Sequence, residues 1–299
     1  MTLKNFSAVS TYTMFIKNYL VTLLTGANMQ KTVVNSRNFF TLTFLLSWLI
    51  WIPLTLSHFG IGGFHISEEL SSIVRLLGVL MPAVSALFLT ANLGGKKAIQ
   101  ALLGRLLIWR VGWIWWIVAV LVQPALLVFI GMIFNWTGGI PPIDFVPLTS
   151  TASLIINIIF LALATLGEEI GWRGMALPAL QSNHSATKAS LILGILWAVW
   201  HFPFWLLLDT FDQFGWTYLI LNFLFVLVGT FYITWFFNHS RSSLLLPVAF
   251  HLSFNILNTA IFPVTTNPVA FTLYIGIGCV ITLLIIRHLE PPQTQALEL

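Results

Sequence analysis

The chain has 299 residues, of which 58% are hydrophobic and 7% charged, with a net charge of +4. Soluble domains carry about 25% charged residues; at a mean hydropathy of +0.93 this chain has too little polar side chain to cover a water-exposed surface, which excludes a soluble fold. Long continuous apolar runs exclude an outer-membrane barrel, and the Lys and Arg residues lie scattered between those runs, which excludes a nucleic-acid partner and fits membrane orientation.

The expected fold is therefore an all-α polytopic membrane protein of about eight transmembrane helices, with both termini cytoplasmic. Residues 1–38 read as a cytoplasmic or interfacial segment. Phe6–Leu24 is moderately apolar, is broken by Lys17 and lacks a small-residue cleavage site, so no signal peptide is assigned; Met29 is an alternative start. Spans need about 20 apolar residues. Candidates within a domain over 39–288 are Phe39–Ser57, Ile73–Asn92, Trp113–Phe134, Ser150–Glu169, Thr187–Leu208, Thr217–Phe237, Leu244–Ile261 and Val269–Arg287. Between them fall Gly60-Ile61-Gly62-Gly63, Gly94-Gly95, Gly138-Gly139-Ile140-Pro141-Pro142 and Thr265-Thr266-Asn267-Pro268, all rich in turn residues. Lys96–Arg110 alternates basic residues with leucines and reads as a helix lying on the membrane surface. Residues 289–299 read as a cytoplasmic tail. The single cysteine, Cys279, excludes an intramolecular disulfide and a cysteine metal cage.

Charge asymmetry supports the count. With the N-terminus inside, eight spans put twelve of the 13 Lys and Arg residues on the cytoplasmic side, Arg173 among them, and leave Arg75 alone toward the outside. The outer loops carry Glu68, Glu69, Asp144, Asp209 and Asp212.

Against this background Glu168 and Glu169 stand out. An ionisable group at membrane depth costs roughly 2.5–3.5 kcal/mol on insertion scales and signals a task. Helix neighbours point about 100° apart, so the two carboxylates cannot share one role. Glu169 and Arg173 are four apart and can pair, which leaves Glu168 free to face a cavity. His201 is flanked by apolar residues and followed by Pro203, which loosens the helix there. His251 and Asn255 share a face one turn apart, and Ser253 points away from them. Each feature alone has a plainer explanation: a solvated helix end for the carboxylates, a buried hydrogen-bonded imidazole for His201, interhelical glue for His251 and Asn255. Three spans supplying such groups together make a set that can activate water. Glu168, His201 and His251 match a catalytic metal set, zinc first among the divalent candidates. Without metal, Glu168 is the general base and Asn255 steadies an oxyanion. The residues leave both routes open.

Taken in order, Glu168-Glu169-x-x-x-Arg173, Trp197-x-x-x-His201 and His251-x-x-x-Asn255 resemble the CAAX-protease and bacteriocin-processing (Abi) family of intramembrane peptidases. The resemblance covers roughly Trp109 to Ile261, including the start of the third span at Arg110-Val111-Gly112-Trp113. Trp197 departs from the pattern, since the family usually has Phe there; a changed pocket wall with the chemistry retained is expected. The resemblance implies an eight-helix fold and proteolysis of membrane-associated peptides, including prenylated C-a-a-X proteins. It assigns Glu168, Glu169, His201, His251 and Asn255 to catalysis, with Arg173 in support, and allows either a metal or a glutamate mechanism. Membrane lipid and a membrane-associated peptide are the implied partners, in the cytoplasmic membrane if the source is prokaryotic. A non-catalytic immunity or scaffold protein on the same fold is the competing reading. A transporter would favour inverted repeats, and none is visible.

One conflict sits inside this reading. If the fourth span ends near Glu169, His201 lies about 20 Å across the membrane from Thr187, too far to meet it. The fourth helix must continue past Glu169 inside the bundle or the fifth must begin below the surface, with Gly171 and Gly174 allowing close packing around the buried turn.

Overall fold

The computed structural model describes residues 29–63, 65–137, 151–261 and 264–290. The readings for the first 28 residues, for the Gly138–Pro142 break, for Asp144 and for residues 291–299 lie outside them. Eight principal helices follow one another: α1 (Met29–His58), α2 (Glu68–Gly104), α3 (Trp113–Thr137), α4 (Thr151–Gly171), α5 (Ala186–Trp200), α6 (Trp216–His239), α7 (Leu245–Ile256) and α8 (Pro268–Ile285). Six are long and apolar enough to cross a bilayer; α5 and α7 are shorter apolar helices. The chain is an integral, multi-pass, all-α membrane protein. Its outward face is apolar, with Leu49, Phe88, Ile156, Leu283 and Leu284 all exposed, as suits side chains that meet lipid.

Helix contact here depends on small residues, because lipid supplies no hydrophobic drive for association. A Cβ on Gly78 would overlap the Trp51 indole, 2.0 Å from Nε1, so α1 lies tight against α2. Ser47 Oγ and Trp51 Nε1 donate to the Gly78 and Arg75 carbonyls at 2.9 and 3.2 Å. Between α2 and α4, a Cβ on Gly167 would sit 3.2 Å from the Leu80 Cα, and one on Gly171 2.8 Å from the Pro82 carbonyl oxygen. Gly194 does the same for α5, facing the Leu227 Cα of α6 at 3.2 Å. On the other side of the bundle Tyr274 of α8 donates to Gln123 of α3, and Tyr232 of α6 to the Gly278 carbonyl of α8.

Four boundaries differ from the sequence expectation. The fourth helix does not stop at the drawn boundary of Glu169 but continues inside the bundle, as the conflict over His201 required: it runs to Gly171, widens into a π-helical turn over Trp172–Ala176, and continues through Leu177–Gln181. Arg173 is fully buried inside that turn and does not lie in a membrane-flanking loop. The fifth span is also divided. Its helix ends at Trp200, and two short helices, Phe202–Trp205 and Asp209–Phe214, carry the chain to α6. Pro203 has no N–H for the Val199 carbonyl, which the His201 amide serves instead. Lys96–Arg110 continues α2 after a break at Gly95, whose φ of 60° and ψ of −151° suit glycine alone. Its Arg105 turns into the bundle. At the far end of α8, Leu289 is buried and the Glu290 carboxylate accepts the Ala186 amide at 2.7 Å, at the start of α5.

Candidate active site

The π-helical turn is where the site begins. Such turns insert one extra residue into a helix and occur often at functional positions. Here the cause is legible. Pro178 has no amide hydrogen, so the Gly174 carbonyl lacks its α-helical partner and the Arg173 carbonyl its π-helical one. Arg105 supplies both. Its Nη1 donates to Gly174 O at 3.1 Å and its Nη2 to Arg173 O at 3.4 Å, while Nε reaches Ser242 O at 3.0 Å. Ser242 belongs to the α6–α7 turn, in which Arg241 and Ser242 both have left-handed φ, 57° and 55°. Arg105 thus ties the turn after the two glutamates to the turn that launches α7. Nothing in the sequence motifs marked it out, because a basic residue beside leucines also fits a solvated helix face.

On α4 the two carboxylates diverge. Glu169 is fully buried, and its Oε1 accepts from Arg173 Nη1 at 3.0 Å and from His251 Nδ1 at 2.8 Å. The Arg173 guanidinium lies 4.2 Å from the Trp197 ring centroid, a cation–π contact that serves the two guanidinium nitrogens without hydrogen-bond partners among the described residues. Glu168 points the other way. Its Oε2 accepts from Trp197 Nε1 at 2.7 Å and stands 3.6 Å from His201 Nε2.

The two imidazoles are held in matching ways. His201 caps α5 with Nδ1 on the Trp197 carbonyl at 2.9 Å, and its ring stacks on Trp205, 3° from parallel at 5.2 Å. Trp48 of α1 donates to the Trp200 carbonyl at 3.0 Å and Thr55 to the Pro203 carbonyl at 3.2 Å, pinning the chain on both sides of His201. His251 has Nδ1 on Glu169. A carbonyl and a carboxylate accept only, so both histidines carry a proton on Nδ1, which leaves Nε2 as the nitrogen for the cavity. Asn255, one turn beyond His251, donates from Nδ2 to Thr165 Oγ1 at 3.2 Å; Ser253 faces away, donating to the Phe250 carbonyl at 2.8 Å.

Glu168, His201, His251 and Asn255 all line one cavity of about 900 Å³, whose remaining wall is largely apolar. The sequence-selected groups thus meet in one place, with Glu169 and Arg173 packed behind them. Trp197 is more than a wall: it hydrogen-bonds one glutamate and covers the cation that pairs with the other. Phe, the usual family residue there, has no N–H to make that bond.

The orientation of both histidines, each with Nδ1 engaged and Nε2 turned inward, is the one metal ligands adopt. Among the described residues, however, no three His, Cys, Asp or Glu side chains are gathered closely enough to hold an ion. Glu168, His201 and His251 do not fit a metal as they stand.

Comparison with known proteins gives two matches. The family model described as type II CAAX prenyl endopeptidase Rce1-like matches residues 149–257, a stretch that contains every site residue from Thr165 to Asn255. The chain is also similar to CAAX prenyl protease 2 of Methanococcus maripaludis, at 29% identity over 230 residues, which cover 74% of this chain and 83% of that protein.

Proposed function

We propose that the chain is a member of the CAAX-protease and bacteriocin-processing family of intramembrane peptidases, on its match to the Rce1-like family model and its similarity to CAAX prenyl protease 2, and that it hydrolyses a peptide bond near the carboxyl end of membrane-associated substrates, prenylated C-a-a-X proteins first among them. The observation that carries this is the facing pair Glu168 and His201. Two acceptors, a carboxylate oxygen and an imidazole Nε2, stand 3.6 Å apart on the wall of a cavity inside an apolar bundle. Such a gap suits a water that donates one hydrogen to each and presents its oxygen lone pair to a substrate carbonyl.

In this mechanism Glu168 takes a proton from the water as its oxygen attacks the scissile carbonyl carbon. Trp197 holds the carboxylate in place throughout. The Asn255 carboxamide has one N–H on Thr165 and a second for the oxyanion of the tetrahedral intermediate. Collapse breaks the C–N bond, and Glu168 returns its proton to the departing amine. Glu169 and Arg173 touch no reacting atom; they fix the tautomer and tilt of His251, whose Nε2 faces the attacking water. The apolar cavity excludes bulk water and would accommodate a prenyl chain.

The test is hydrolysis of a farnesylated, internally quenched C-a-a-X peptide by the purified chain in detergent or vesicles. Wild-type protein cleaves it and Glu168→Gln, folded and inserted, does not. Turnover by Glu168→Gln at the wild-type rate removes Glu168 from water activation. Zinc content of the active protein, read by mass spectrometry, decides whether an ion joins the reaction.

A further inference from the structure

We propose that Arg75 binds the free carboxyl terminus of the substrate and so fixes where the chain is cut, an inference that rests on the peptidase reading above. Arg75 is the single Lys or Arg among the residues lining the cavity. It lies near the start of the candidate span Leu70–Leu107, at the end of the bundle that the charge asymmetry places outside. Among the described residues no ion pair uses it. Among the described residues its side chain makes a long hydrogen bond, 3.4 Å, to Ser72 Oγ. The backbone beneath it is fixed, because Trp51 Nε1 donates to the Arg75 carbonyl at 3.2 Å. The residue is therefore fixed at its backbone while its guanidinium reaches the cavity wall. Its fork matches a carboxylate.

Its level in the bundle gives the register. Gly167 packs on the Leu80 Cα, so Glu168 is close to level with Leu80. Arg75 lies five residues earlier on the same continuous helix, about 7.5 Å away along the axis. An extended peptide covers about 3.3–3.6 Å per residue. The distance from the attacked bond to a carboxylate on Arg75 thus corresponds to about two to four residues, once the arginine's own reach is included. The cavity runs on in both directions from Glu168: on the Arg75 side it continues along α4 as far as Ile156, and on the other side along α6. Gly194 of α5 packs on Leu227 of α6, so His201, seven residues on, is level with about residue 220 of the antiparallel α6. From there the cavity extends past Tyr232 to Trp235, Ile281 and Ile285, about 20 Å along α6. The position of Arg75 orders a substrate: carboxylate at Arg75, scissile bond at Glu168, apolar anchor beyond it along α6.

The experiment compares two farnesylated C-a-a-X peptides that differ only at the last atom group, one ending in a free acid and one in an amide. Wild-type protein should cleave the acid at least tenfold better in kcat/KM, mainly through KM. Arg75→Gln should remove that preference while leaving the amide rate within about twofold; Arg75→Lys should restore part of it. The amide is the internal control for folding. Binding of both peptides to Glu168→Gln protein, read by fluorescence anisotropy, measures the same preference without turnover. An acid-to-amide ratio unchanged by Arg75→Gln overturns the proposal while leaving the peptidase reading intact. An effect of the substitution that falls equally on both peptides, and only in vesicles containing anionic lipid, also overturns it and assigns Arg75 to a lipid headgroup. If wild-type protein cleaves neither peptide, the peptidase reading fails, and the binding ratio alone decides whether Arg75 reads a carboxylate.

Discussion

Behind Glu169 the bundle is closed: carboxylate and guanidinium form an ion pair that the His251 imidazole joins by a hydrogen bond, with no exposure at Glu169 or Arg173. In front of Glu168 it is open, and a carboxylate, an indole N–H and a second imidazole line a cavity. The two glutamates are neighbours in the chain, and the rotation of one helix residue separates an anion held by Arg173 and His251 from one that faces the cavity. The lesson is about cost. A buried cation needs a fixed anion wherever it stands, so Glu169 is committed to Arg173 and His251. Glu168, held by the Trp197 N–H and facing the cavity, is not tied to a cation in this way.

Exchanging the charge at each position is the sharpest way to break that comparison. Glu168→Gln should lower kcat by on the order of 10²–10⁴-fold, the worth of a positioned general base, with thermal stability close to wild type. Glu169→Gln should do the reverse first. It leaves Arg173 as a buried charge without an anion, a loss of about 3–5 kcal/mol, visible as a large fall in melting temperature in detergent and as reduced yield of inserted protein. If the two variants lose stability equally, the division between a closed and an open face is wrong.

A smaller effect tests the packing that makes both faces possible. Gly171 lies under Pro82, where any Cβ would come within 2.8 Å of a backbone carbonyl oxygen. Gly171→Val should push α2 from α4 at a cost of about 1–3 kcal/mol. Because the displacement also tilts the π-helical turn, activity should fall further than stability accounts for. A variant as active as it is stable would show that α4 tolerates the shift.

Much of this was readable from the chain. Composition fixes a membrane protein, and long apolar runs give eight helices near the observed positions. The i, i+4 spacing of Glu169 and Arg173 is the observed ion pair, and His251 and Asn255 do share a face. The end of α4 was not readable as drawn. Hydropathy drops at Glu168 because the residues there are charged, and a window cannot distinguish a helix that leaves the membrane from one that carries charge through a bundle. The π-helical turn hangs on Pro178 and on Arg105, 73 residues earlier in the numbering than Pro178; no local pattern links them. Arg173 was counted with the flanking cations for the same reason: its burial depends on Glu169 and on the face of Trp197, which are tertiary facts.

Trp197 carries the smallest and most specific prediction. It stands where Phe is usual, and its Nε1 gives Glu168 the hydrogen bond that holds the carboxylate toward His201. Trp197→Phe deletes that donor, keeps an aromatic face for Arg173 and leaves the backbone carbonyl that orients His201 untouched. Glu168 then gains rotational freedom without losing charge. A hydrogen bond to a charged group is worth about 1.5–3 kcal/mol, but only the part that places the base differently in the transition state reaches the rate, so kcat should fall about tenfold or less, with KM within about twofold. Adding Glu168→Gln to Trp197→Phe should produce no further loss beyond Glu168→Gln alone, because the indole acts through that carboxylate. Additive losses in the double variant would mean that Trp197 touches the substrate itself, and the open face would then have a third working member.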